Sequence, residues 1–228
     1  MGRNRRFNRD GNAKLIRAVI RHIGRHIGPP NYVFHEEKSM FVHVDIHHVA
    51  PTEQRPFHTL VTSGMSERRM RVPREQRNEA FAELFLRLPP EWPIFDPKAM
   101  KAPRWSWPLR MLTDLARYPH EASTWIGAGH LIQHYEPPEP YADSTAQCAA
   151  LVMHPNTESA GFSRMKLGRH DVHFYQVFPL YEEEVRFAFQ HSLNAVLERF
   201  AINGVTEIID PERINVCAGG SRVEKLVH

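Results

Sequence analysis

Residues 43 to 48 read His43-Val44-Asp45-Ile46-His47-His48, placing ring nitrogens and a carboxylate at alternate positions. On an extended strand alternate side chains share a face, so His43, Asp45 and His47 would project together and offer a donor set suited to Zn2+. A metal-dependent hydrolase built on these three residues is one reading of the segment. The other is the solvent-facing side of an amphipathic strand, because alternation with Val44, Ile46 and Val49 already explains the pattern.

The remaining chemistry-bearing residues assemble into no known motif. His130 and His134 stand four apart, but no Glu follows His130 and the glycines at 127 and 129 weaken a helix, so HExxH is absent. His170 and His173 fall at the start of a strand. Neither Ser63, Ser66 nor Ser221 has the flanking glycines of a nucleophile elbow. The glycines never form a phosphate cradle. Glu182, Glu183 and Glu184 suit the positive end of a helix dipole without any catalytic role. The sequence therefore assigns no catalytic residue and no cofactor, and it reads as a binding protein more readily than as an enzyme.

Composition sets the frame for positioning these groups. A chain of 228 residues with 42% hydrophobic content can bury a core of its own, and no stretch approaches the apolar length of a membrane span. Cys148 and Cys217 lie far apart without a CxxC neighbour, which argues for a reducing, cytoplasmic setting. Residues 1–28 hold eight Arg or Lys and one Asp, a local +7; the whole chain's +3 therefore leaves −4 for the rest. A nucleic acid or anionic surface would be met through residues 1–28 alone, and this is the weakest of the partner readings.

The divisions expected are a basic amphipathic arm at 1–30, a main domain at 31–217 and a tail at 218–228. Within the arm, residues 13–27 repeat apolar side chains at helical spacing, with Arg17, Arg21 and Arg25 on another face, before Gly28-Pro29-Pro30 stops the helix. Strands are expected at 40–49, 57–62, near Ile132, at 148–153 and at 172–179, with a closing strand at Ile208 and Ile209. Helices are expected at 77–88, 109–118 and 181–200. Irregular mixing of the two argues for an α+β fold, a mixed, mainly antiparallel sheet covered by helices. The proline- and tryptophan-rich stretch at 89–108 reads as an ordered loop. Trp92, Trp105 and Trp107, with Tyr118, Tyr135 and Tyr141, form the candidate binding face, and ordinary core packing is the competing reading.

Six segments, in order, resemble the Suppressor of Fused family. They are HTLVTSGMSE at 58–67, AELFLRLPPEWP at 82–93, WPLRMLTDLARY at 107–118, IGAGHLI at 126–132, FYQVFPLYEEEVRFA at 174–188 and IIDPERINV at 208–216. The second resembles that family's helix with a Pro-Trp exit. The resemblance implies a mixed α/β domain and a role in binding and inhibiting proteins. It is closest to the single-domain bacterial type, for which it implies an immunity protein with a toxin as partner.

Overall fold

The computed structural model describes residues 12–36, 41–156 and 158–219, and gathers their extended segments into one eight-stranded sheet. The strands are β1 (Tyr32–Phe34), β2 (Asp45–Val49), β3 (His58–Ser63), β4 (Ala82–Leu88), β5 (Leu131–Gln133), β6 (Ala149–Met153), β7 (Arg164–Leu167) and β8 (His170–Leu180). They lie in the order β1-β2-β3-β4-β8-β6-β5, with β7 also paired to β8. Every pairing is antiparallel except β4 with β8, at the centre. The α+β architecture read from the sequence is the observed one.

Both faces of the sheet are covered, which is why β2, β3 and β4 are buried at every position. On one face, helix α2 (Pro103–Glu121) packs Leu112 and Leu115 over Leu60, Leu84, Leu86 and Val177. On the other, helix α1 (Ala13–His26) sets Leu15, Val19 and Ile23 against Val61, Phe85 and Phe174. The Asn12 side chain caps α1 by accepting from the backbone N–H groups of Lys14 and Leu15, and Arg17, Arg21 and Arg25 point to solvent as their spacing predicts. Residues 1–11 of the basic arm lie outside the described residues. A third cluster, around Phe178, Leu180, Val196 and Phe200, holds α3 (Glu182–Gln190) and α4 (Leu193–Ile202).

Several expectations are corrected. The helix expected at 77–88 is a short 3-10 helix (Arg74–Glu79) followed by β4. On β4 the face that carries Glu83 and Arg87 also carries Phe85, so the alternation that identifies a strand is broken, while Phe81, Leu84, Phe85 and Leu88 fit helical spacing. The helix expected at 181–200 is two helices. Ser192 breaks the run and caps α4 by accepting from the Ala195 N–H, and Phe189 near the end of α3 is 77% exposed. The closing strand at Ile208 and Ile209 is one parallel bridge from Ile208 to Arg87. The helix expected at 109–118 begins at Pro103, which suits a first helical position because its missing N–H would have had no partner there.

One turn fixes how β3 meets β4. Gly64 stands at φ 115°, and a Cβ there would run into the His43 carbonyl oxygen, so only glycine lets the turn approach that backbone. Glu83, fully buried on β4, gathers the turn's donors. Its Oε1 accepts from Gly64 N, Ser66 N and Ser66 Oγ, and its Oε2 from Thr62 Oγ1 at 2.7 Å. Burial raises the Glu83 pKa above 4.5, against the lowering effect of these hydrogen bonds.

Candidate binding surface and histidine cluster

The strand expected to carry His43, Asp45 and His47 begins only at Asp45, and all five of its residues are buried, so its polar side does not face solvent. The structure also parts the three residues. His47, on the face covered by α1, places Nε2 2.8 Å from Ser63 Oγ on β3. Burial pulls its pKa down to about 4, partly offset by the Asp45 carboxylate. His43 instead meets Asp45 Oδ1 through Nε2 at 3.0 Å, and His35, which the sequence reading passed over, meets the same oxygen through Nδ1 at 3.1 Å. The ligand-type cluster is therefore His35, His43 and Asp45. No spacing rule finds His35, because pairing of β1 with β2 folds it back over Asp45.

Position 48 belongs to the opposite face. His48 Nε2 lies 2.8 Å from His58 Nδ1, and His58 Nε2 lies 3.1 Å from the Pro90 carbonyl. Since that carbonyl can only accept, neutral His58 carries its proton on Nε2 and accepts at Nδ1 from the His48 N–H. Burial lowers both pKa values, that of His48 to about 4.

The candidate aromatic face divides by depth. Trp107 is 1% exposed and stacks on Tyr141, which stacks in turn on His134 beside the exposed Tyr135. Trp92 is buried, donates its indole N–H to the Trp105 carbonyl and meets the Trp105 ring edge to face. Trp105 is half-buried, with the Arg104 guanidinium 4.9 Å from its ring centre, and Tyr118 is exposed on α2. Trp92 and Trp107 are thus core residues, and Trp105, Tyr118 and Tyr135 carry the aromatic surface.

Trp105 lines a groove of about 450 Å3 between the start of α2 and residues 206–212. Ile208 and Pro211 give it an apolar wall, while Glu91, Asp210 and Glu212 make it acidic opposite Arg104. Buried Arg213 steadies residues 206–216 through two bonds to Glu184 on α3, at 2.6 and 2.5 Å.

With this geometry in view, comparison with known proteins is decisive: the family model of the Suppressor of fused protein (SUFU) matches residues 41–214. The chain belongs to the Suppressor of Fused family. Solved structures agree on the fold. A SUFU homologue from Neisseria gonorrhoeae aligns with TM-score 0.62 and 15% identity, over 92% of this chain and 98% of its own. A chain of the Sufu–Fu complex aligns with TM-score 0.60 and 15% identity, over 89% and 92%. Drosophila Suppressor of Fused aligns with TM-score 0.59 and 16% identity, over 89% of this chain and 51% of its own, so the SUFU domain described here corresponds to about half of that protein. No curated protein matches in sequence. Among the described residues, no helix of this SUFU-family chain is long and apolar enough to cross a membrane.

Proposed function

We propose that this chain is a non-catalytic protein-binding module that inhibits or sequesters a protein partner, in the form of a bacterial immunity protein whose partner is a toxin. The observation that carries the reading is membership of the SUFU family, one of whose similar folds is solved in the Sufu–Fu complex. The contact surface is the groove beside Trp105, with Arg104 as its charged anchor and Tyr118 and Tyr135 as outlying aromatic contacts. Trp92, Trp107 and Tyr141 form the frame beneath it. Trp and Arg are among the residue types enriched where a few side chains carry most of the binding energy. The acidic rim favours a partner segment with basic residues around an apolar anchor. A cytoplasmic setting belongs to this reading, supported by two buried cysteines that remain thiols.

The test is a native pull-down from the source cell with the intact chain, run in parallel with Trp105→Ala and Arg104→Glu. The expected result is one stoichiometric protein that arrests growth when expressed alone and is retained at least tenfold less by each variant. Recovery of no partner overturns the reading of the module. Equal recovery by wild type and variants overturns the assignment of the groove.

A further inference from the structure

Asp45 opens β2 with its carboxylate 4% exposed, and its Oδ1 meets His43 Nε2 at 3.0 Å and His35 Nδ1 at 3.1 Å. One ligand atom from each residue lies within 4.8 Å of the other two. We propose that these three residues form a binding site for a divalent transition metal, with Zn2+ the best chemical match. Two imidazole nitrogens and a carboxylate oxygen are borderline donors that Zn2+ takes in tetrahedral sites, with bonds of about 2.0 Å and so roughly 3.3 Å between neighbouring donors. The two distances at Asp45 already stand within a few tenths of an ångström of that edge. The remaining pair, His35 with His43, can close by rotation of His35, whose side chain is 74% exposed.

Glu67 interacts with both His43 and Arg68, so its charge is shared with a guanidinium, and the donors of the site are the two imidazoles and Asp45. The fourth position opens toward exposed His35, so water completes the shell. His35 follows β1 while His43 and Asp45 lead into β2, so a bound ion closes the connection between the two outermost strands at this edge of the sheet. The site assigns no hydrolytic step, and it stands independently of the protein-binding reading.

The experiment uses the full chain, stripped with EDTA and dialysed, and titrated with ZnCl2 near neutral pH by calorimetry and native mass spectrometry. One equivalent of Zn2+ is expected, bound at least tenfold more weakly by H43A and by D45N and unchanged in H191A, a surface histidine elsewhere. Co2+ should give the visible bands of a tetrahedral site in wild type and lose them in D45N. Because His35 is exposed, H35A tests the same site without touching the core, and its affinity should also fall at least tenfold. If wild type takes up no more Zn2+ than D45N or H35A, the three residues are only a hydrogen-bonded brace and the proposal fails.

Discussion

Replacing Glu83 separates two demands that the β3–β4 turn places on one carboxylate. Four hydrogen bonds reach it, three on Oε1 and one on Oε2, inside a fully buried site. In Glu83→Ala, two backbone N–H groups and two hydroxyls lose their acceptor. The two N–H groups cannot turn away, and at about 1–3 kcal/mol for each buried unpaired donor they alone cost about 2–6 kcal/mol, with a cavity term added. Glu83→Gln keeps a carbonyl oxygen for the three donors at Oε1. Its amide faces Thr62 Oγ1, which already accepts from the Leu84 N–H at 2.8 Å and has a second lone pair to offer. Only the Thr62 hydroxyl proton is displaced, so a cost of about 1 kcal/mol is expected. Urea denaturation at neutral pH, read by linear extrapolation, should therefore rank wild type, Gln and Ala, with the larger gap between Gln and Ala. The pH dependence gives a second signature. The folded pKa of Glu83 is raised, so the stability linked to this group is fully present below the unfolded pKa and is lost as pH rises through the folded one. E83Q should flatten that part of the profile. Alanine within 1 kcal/mol of wild type, or glutamine as damaging as alanine, would refute the account.

Two further perturbations test the histidines and the buried ion pair. His47 and His48 have folded pKa values depressed to about 4 from 6.5, so the stability they confer is present above pH 6.5 and is lost as pH falls toward 4. Each should contribute a slope of up to roughly 1.4 kcal/mol per pH unit in that window, measured as the shift in urea midpoint between wild type and His48→Gln. Arg213→Ala leaves buried Glu184 without its counter-charge, which costs about 3–5 kcal/mol and, for a domain of this size, should lower Tm by roughly 10 °C in a thermal melt; an unchanged Tm would contradict the role given to that pair.

Much of the fold was legible where local pattern and environment agree. Residues 13–27 alternate at helical period and end in Gly28-Pro29-Pro30, and α1 forms there. The segment at 172–179 is rich in β-branched and aromatic residues, and β8 includes it. Legibility failed where burial covers both faces. In β4, Glu83 and Arg87 stand among apolar residues because each finds buried partners far along the chain, Arg87 through Glu158 at 2.5 Å and Glu207 at 2.6 Å. No local window contains those partners, so helix and strand could not be told apart there. The site was half legible for a related reason. Period two placed Asp45 and His47 on one face correctly, but the hydrogen bond from His47 goes across the sheet to Ser63, and His35 arrives from a neighbouring strand. In this chain the segments at 58–67 and 82–93 are tied together, because Glu83 in the second is the acceptor for the turn in the first.

The parallel pairing of β4 with β8 has a consequence for how the chain is made. Synthesis delivers β1 to β4 first as a meander, and β4 then waits with one side unmatched while the chain runs from Leu88 to His170. An unpaired strand with one wholly apolar face is a template for wrong partners, including the same strand on another nascent chain. The last strand thus acts as a latch: until it threads between β4 and β6, the two halves of the sheet share no hydrogen bonds and the newborn protein is at its most vulnerable to misassembly.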